Sequence, residues 1–183
     1  MPADVTDPDA VAAMVSGVQS HFGRIDILIN NAGQAMLARV EHIGLPEFRV
    51  LIEVNVVGLL LAIRAVLPVM RSQGGGTLVH VTSGTIGVGV PGLGAYGATK
   101  AAAETLFLTA RAELSEQNIR CILFSPGPTA TGLGDNALRT GPDGQVQVRS
   151  AATAGTPENA AGRLVETIEN DLIDYRWNAQ VHP

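Results

Sequence analysis

The chain has 183 residues, 46% of them hydrophobic and 16% charged, with a net charge of −5. That balance fits a compact folded protein rather than an unfolded polar chain, and without a basic block it speaks against nucleic acid or an anionic membrane as partner. The single cysteine, Cys121, has no internal disulfide partner and points to a reducing cytoplasm, and one cysteine with four scattered histidines makes a metal site a poor expectation.

Two further segments bear on the membrane question. The amino-terminal MPADVTDPDA is acidic and polar, unlike a secretory signal. The apolar run Val54 to Ile63 is interrupted by Asn55 and stopped by Arg64, which reads as too short to cross a bilayer.

In chain order, Asp7 to His21 predicts a helix, with Asp7 as its cap, Pro8 in the first turn, and Val11, Met14, Val15 and Val18 on one face. Ile25 to Asn30 predicts a short strand, followed by the turn Asn31-Ala32-Gly33. Pro46 to Ser72 predicts one long helix, broken by Gly74-Gly75-Gly76. Thr77 to Thr82 predicts a strand, Ala95 to Gln117 an alanine-rich helix, and Ile119 to Phe124 a strand ended by Ser125-Pro126-Gly127-Pro128. Thr129 to Thr156 reads as loop-rich, Pro157 to Asp171 as a helix capped by Thr156, and Tyr175 to Val181 as a last strand. Short strands alternating with helices imply an α/β fold with a parallel sheet, here as one domain over residues 1–183.

Open parallel sheets bind ligands beyond the carboxyl ends of their strands. That rule selects Asn31-Ala32-Gly33, Ser83-Gly84 and Ser125-Pro126-Gly127-Pro128 as one rim. Two overlapping motifs compete beside it. Gly87-Val88-Gly89-Val90-Pro91-Gly92 spells GxGxxG, with Glu113 about 20 residues further on, as a dinucleotide fingerprint asks. That fingerprint belongs in a tight turn joining strand directly to helix, whereas here a loop containing Pro91 intervenes and Glu113 falls inside a predicted helix. A flexible rim loop is the plainer reading. Tyr96 and Lys100, four apart on one helix face, form the stronger motif. An ammonium beside a phenol stabilises the phenolate and brings its pKa down towards working pH, where a general acid/base is most effective. Lys100 is the sole lysine in a chain whose other side-chain cations are arginines, which suits a compact, tunable ammonium rather than a planar, permanent charge. Ser83, at the end of its strand, adds a hydroxyl for a substrate carbonyl, and no GxSxG elbow surrounds it.

Taken together, Asp4-Val5-Thr6-Asp7, Asn30-Asn31-Ala32-Gly33, Asn55 in EVNVVG, Ser83 in VHVTSGTIG, Tyr96-x-x-x-Lys100 in YGATKAAAETL and Pro126-Gly127-Pro128-Thr129 resemble the short-chain dehydrogenase/reductase family. The resemblance runs from about Asp4 to Thr131 and fades beyond it. It implies a partial Rossmann-like, doubly wound parallel sheet and hydride transfer between NAD or NADP and a small alcohol or carbonyl substrate. By the same resemblance, Tyr96 is the acid/base, Lys100 lowers its pKa and holds the nicotinamide ribose, and Ser83 orients the substrate. Asn55 lies at a break in its helix and supports a water relay to Lys100. Asp4 and Val5 flank the adenine, Asn31, Ala32 and Gly33 line the ribose side, and Pro126, Gly127, Thr129 and Thr131 lie over the nicotinamide end.

The family's glycine-rich cofactor loop and the first βαβα segment that carries it are not found between Met1 and Pro183. The expectation is therefore the carboxyl-terminal part of an oxidoreductase, or else a non-catalytic remnant acting only by association. A sugar-nucleotide epimerase or dehydratase, which shares YxxxK, is a further alternative that Asn30-Asn31-Ala32-Gly33 argues against. The resemblance also implies a homodimer or homotetramer assembled through the helices Pro46 to Ser72 and Ala95 to Gln117.

Overall fold

The computed structural model describes residues 2–141 and 154–176. Helix α1 (Pro8–Phe22) starts where Asp7 accepts hydrogen bonds from the amides of Asp9 and Ala10, and stops at Gly23, whose left-handed φ of 79° turns the chain away. Its Val11 and Val15 are buried, and the helix packs along α3 (Gly58–Ser72). Strand β1 (Ile27–Asn30) is two residues shorter than expected. The Gln73 side chain takes both the amide and the carbonyl of Ile25, at 3.0 and 2.7 Å, so that residue is tied to a helix end instead of extending the strand.

Strands β3 (Gly76–Val81), β4 (Ile119–Ser125) and β6 (Asp174–Arg176) complete a parallel sheet in the order β1-β3-β4-β6. The register sets Asn30 opposite His80, Val81 opposite Phe124 and Ser125 opposite Arg176. One face is covered by α3 and α4 (Gly94–Glu113), where Ile63, Val66, Met70, Ala103 and Phe107 meet Leu78, Cys121 and Leu123. The opposite face carries Val79, Ile122 and Phe124 beneath Leu164 and Ile168 of α5 (Pro157–Glu169). Burial on both faces is why IRCILF is apolar without alternation. Thr156 caps α5 as expected, accepting from the Asn159 amide. Among the described residues β1 has a neighbour on one side only, and its Ile27 and Ile29 remain half-exposed.

The long helix arrives in three pieces: α2 (Leu45–Ile52), a π turn at Glu53–Val57, and α3. The expectation that this region is too short to span a bilayer is corrected, because the helix continues through Asn55 and Arg64 and the 28-residue rod is apolar enough by composition to cross a membrane. Here Leu51, Leu59, Ile63, Val66 and Met70 are buried within the protein. Helix α4 ends at Glu113, short of the expected Gln117. The loop-rich segment after Thr129 holds an unexpected strand, β5 (Leu138–Arg139), paired in parallel with β2 (Met36–Leu37). The final strand begins one residue earlier than expected, and its expected continuation past Arg176 lies outside the described residues, as do residues 142–153.

His80 sits in this core at 2% exposure, its ring 5.5 Å from that of Phe107. Burial, and secondarily the charge of Lys100, push its pKa down to about 3, while the Asn30 backbone opposes the shift. Its value is thus lower folded than unfolded, so the stability it contributes is full above about pH 6.5 and is lost as pH falls towards 3. We expect the wild type to lose on the order of 3 kcal/mol more than a His80→Gln variant between pH 7 and 4, measured by urea unfolding at each pH. Parallel pH profiles for the two proteins would contradict this.

Candidate active site

The carboxyl ends of β1 and β3 and the first turns of α4 meet at one place. Tyr96 and Lys100 lie on the inner face of α4 and are 7% and 4% exposed. The Lys100 Nζ donates to the Val81 carbonyl at 3.0 Å, tying helix to strand end one residue below Thr82. Gly33 completes the turn after β1. A Cβ there would sit 3.4 Å from Asn55 Oδ1 and 3.5 Å from Lys100 Nζ, so the backbone approaches both groups closely.

The π turn presents Asn55 inward, 3% exposed. Its Oδ1 accepts from the Gln34 amide at 2.8 Å, and its Nδ2 donates to the Gln34 carbonyl and to Thr99 Oγ1, both at 2.9 Å. Thr99 Oγ1 in turn donates to the Tyr96 carbonyl. One side chain thus links the turn after β1 to the first turns of α4. Ser83 Oγ shares a 2.9 Å hydrogen bond with Thr85 Oγ1 and lies beside the Tyr96 phenol.

The electrostatics depart from expectation. Burial raises the Tyr96 pKa, and the Ser83 hydroxyl only partly opposes it. The net shift of Tyr96 is thus upward, against the expected lowering, because burial of the phenol is the largest contribution, while the charge of Lys100 is felt at His80. Lys100 itself is pushed down to about 8 by burial.

Of the other expected site residues, Val5 is wedged against α3, since a Cβ on Gly58 would lie 3.0 Å from Val5 Cγ2. Val5, Asn30, Ala32, Asn55, Gly58 and His80 line one small pocket. Asn30 Nδ2 and both His80 nitrogens are buried there without a hydrogen-bond partner among the described residues, although the Asn30 backbone lies close enough to His80 to influence its titration. Asn31 is exposed in the same turn. Asp4 is exposed, and its carboxylate accepts from the Thr6 amide and hydroxyl, which lowers its pKa. The segment Pro126 to Thr131 is held by its own contacts: Thr129 Oγ1 donates to the Gly127 carbonyl, Gly155 bonds Pro128 and Ala130, and Thr131 Oγ1 accepts from Leu133. The structure does not bring Asp4 or Pro126 to Thr131 into hydrogen-bond contact with Tyr96 or Lys100.

Gly87, Gly89 and Gly92 adopt left-handed φ values of 72°, 70° and 83° in the loop between β3 and α4. The Gly92 carbonyl accepts from Ala38, and open space surrounds Gly87 and Gly89. This is a rim loop, with no strand leading directly into a helix, so GxGxxG does not form a phosphate turn here. Sequence reasoning missed Gln34 and the trio Thr82, Glu104 and Arg176. Thr82 Oγ1 donates to Glu104 Oε2 at 2.8 Å, and Arg176 Nη2 donates to Glu104 Oε1 at 2.7 Å. The available signal was the position of Glu104, one helical turn beyond Lys100.

Comparison with known proteins bears on the family and the fold. An oxidoreductase from Staphylococcus saprophyticus is 39% identical over 135 residues, covering 73% of this chain and 55% of its own length. The chain therefore spans about half of that curated relative. The crystal structure of a short-chain dehydrogenase from Streptomyces avermitilis superposes with a TM-score of 0.86 at 28% identity, covering 98% of this chain and 70% of that one. A xylitol dehydrogenase bound to NAD+ superposes with a TM-score of 0.67 at 37% identity, covering 72% of this chain and 51% of that one. The family model for short chain dehydrogenase matches residues 1–140, which hold Asn55, Ser83, Tyr96 and Lys100 together, and the chain belongs to that family.

Proposed function

We propose that this polypeptide carries the proton-transfer site of an NAD(P)-dependent oxidoreductase that interconverts a small alcohol and its carbonyl. The observation that carries the reading is the convergence of Gly33, Asn55, Ser83, Tyr96 and Lys100 at one strand rim, with the phenol and the ammonium both buried. A nicotinamide dinucleotide, when bound, supplies or accepts the hydride.

The residues present suit part of such a group. Lys100 uses one of its three N–H donors on Val81, leaving donors for ribose hydroxyls, with Tyr96 beside them. Val5 and the turn Asn31, Ala32 and Gly33 would take the adenosine edges, and Pro126, Gly127, Thr129 and Thr131 would cover the nicotinamide end. The proton steps follow from the electrostatics. Burial keeps the Tyr96 phenol protonated at neutral pH, the form needed to protonate an alkoxide as a carbonyl is reduced. Ser83 holds the substrate oxygen next to that phenol. Lys100 compensates the phenolate left behind, and Asn55 keeps the turn after β1 in register with α4. In the oxidation direction the same phenolate takes the proton back.

The part of the dinucleotide without a matching cradle is the pyrophosphate. Among the described residues the N-termini of α1 and α5 are already capped by Asp7 and Thr156, and no glycine-rich turn runs from a strand straight into a helix. We expect the polypeptide of residues 1–183 alone to bind NAD(H) and NADP(H) on the order of millimolar or more weakly by calorimetry. Micromolar binding to either cofactor would place the pyrophosphate on residues assigned otherwise here.

In the full-length enzyme, Tyr96→Phe is expected to lower turnover at least about 100-fold with little change in cofactor affinity. Near-normal turnover would remove Tyr96 from the acid/base role, and a wild type without turnover on any alcohol or carbonyl panel would favour the non-catalytic alternative. Assembly is the remaining expectation. Leu60 and Leu106, on the outer faces of α3 and α4, are 41% and 42% exposed and suit a symmetric helix-to-helix contact. Light scattering at micromolar concentration should give a dimer or tetramer, and Leu106→Glu should shift it towards monomer. A monomeric wild type would refute the contact.

A further inference from the structure

Val81 ends β3 and Thr82 follows it directly, and both bond to the same side of α4. The Val81 carbonyl accepts from Lys100 Nζ at 3.0 Å, and the Thr82 hydroxyl donates to Glu104 Oε2 at 2.8 Å. Lys100 and Glu104 are one turn apart, so strand and helix are joined by two adjacent rungs immediately before Ser83. Glu104 is only 8% exposed, and its other oxygen accepts from Arg176 Nη2 at 2.7 Å. A carboxylate this deep is costly without a partner, and Arg176 supplies the balancing charge from the outside. Arg176 belongs to β6, paired with Ser125 of β4, while the Thr82 amide bonds to the adjacent Phe124 carbonyl. The trio therefore ties together the carboxyl ends of β3 and β6 and the helix that carries the phenol and the ammonium.

We propose that Glu104 is a positioning residue: by holding Thr82 it fixes the Val81 carbonyl and Ser83 against Lys100 and Tyr96, and by binding Arg176 it makes that alignment depend on the docking of β6. A mere core tie would cost only stability when cut. An alignment device would alter the site while the fold persists. The catalytic consequence rests on the oxidoreductase reading above, whereas the effect on Lys100 is independent of it.

The test uses Thr82→Val, which removes the rung without altering any charge, and Thr82→Ser, which retains it, in the full-length protein. Two quantities are measured. The first is kcat and the cofactor KM. The second is the titration of Lys100 by NMR with lysine-selective 13C labelling, which yields one side-chain signal because this region has a single lysine; lysines elsewhere in a longer chain are assigned by their loss in Lys100→Arg. The ionisable groups around Lys100 are His80 on β3 and Tyr96 and Glu104 on α4, with Arg176 behind Glu104, and all are unchanged in Thr82→Val.

In Thr82→Val, kcat is expected to fall at least about tenfold while the cofactor KM changes by less than about twofold. The Lys100 midpoint should move up from about 8 towards its ordinary 10.5 as water reaches the ammonium. Thr82→Ser should restore both. If Thr82→Val does not fold, Thr82→Ala carries the same expectations. A variant with wild-type kcat and a wild-type Lys100 midpoint, whatever its melting temperature, would overturn the proposal. If the wild type has no turnover with either nicotinamide cofactor, the oxidoreductase reading fails and the Lys100 midpoint alone decides: a shift sustains the positioning role, and no shift overturns it.

Discussion

The rest of this site depends on one buried ammonium. Lys100 is 4% exposed, and removing a charge from water costs several kcal/mol unless it is compensated. The Val81 carbonyl, 3.0 Å away, is its fixed partner. That bond requires α4 to lie close across the end of β3, and this approach determines where Tyr96 and Ser83 can stand. It also leaves the ammonium less favourable than in water, which is why its pKa falls to about 8.

Close packing around Lys100 places demands on the neighbouring backbone. Gly33 has no Cβ where one would meet both Lys100 and Asn55. The helix before α3 widens into a π turn at Glu53–Val57, which directs Asn55 across the gap. Asn55 then replaces backbone pairing for Gln34 and bonds to Thr99 on α4. These are two answers to the same problem. Polar backbone from an irregular turn enters a dry region and must find partners there.

The charges in this region are arranged sparingly. Burial holds Tyr96 as a neutral phenol and His80 as a neutral imidazole. Glu104 is matched by Arg176, whose guanidinium reaches in from the surface. Lys100 is a buried cation one helical turn from the phenol, so in the proposed reaction a phenolate would arise near compensating charge in a site of low polarity.

The sequence by itself determined much of this. Alternating apolar strands and helices, the caps Asp7 and Thr156, and the i, i+4 spacing of Tyr96 and Lys100 are local features, and the parallel sheet follows from them. Local signals also placed Ser83 at a strand end, because strand length and turn residues are written within a few positions of it. What only the tertiary structure decided are the contacts between residues far apart in the chain. The Lys100–Val81 bond, the bridging of Asn55 to Gln34 and Thr99, the pairing of β2 with β5 and the clasp of Arg176 on Glu104 each join separate elements. The pKa of Tyr96 shows the difference most clearly. Spacing alone suggested a phenol lowered by its lysine, but burial sets the opposite direction, since desolvation depends on everything packed around a group and not on its sequence neighbours.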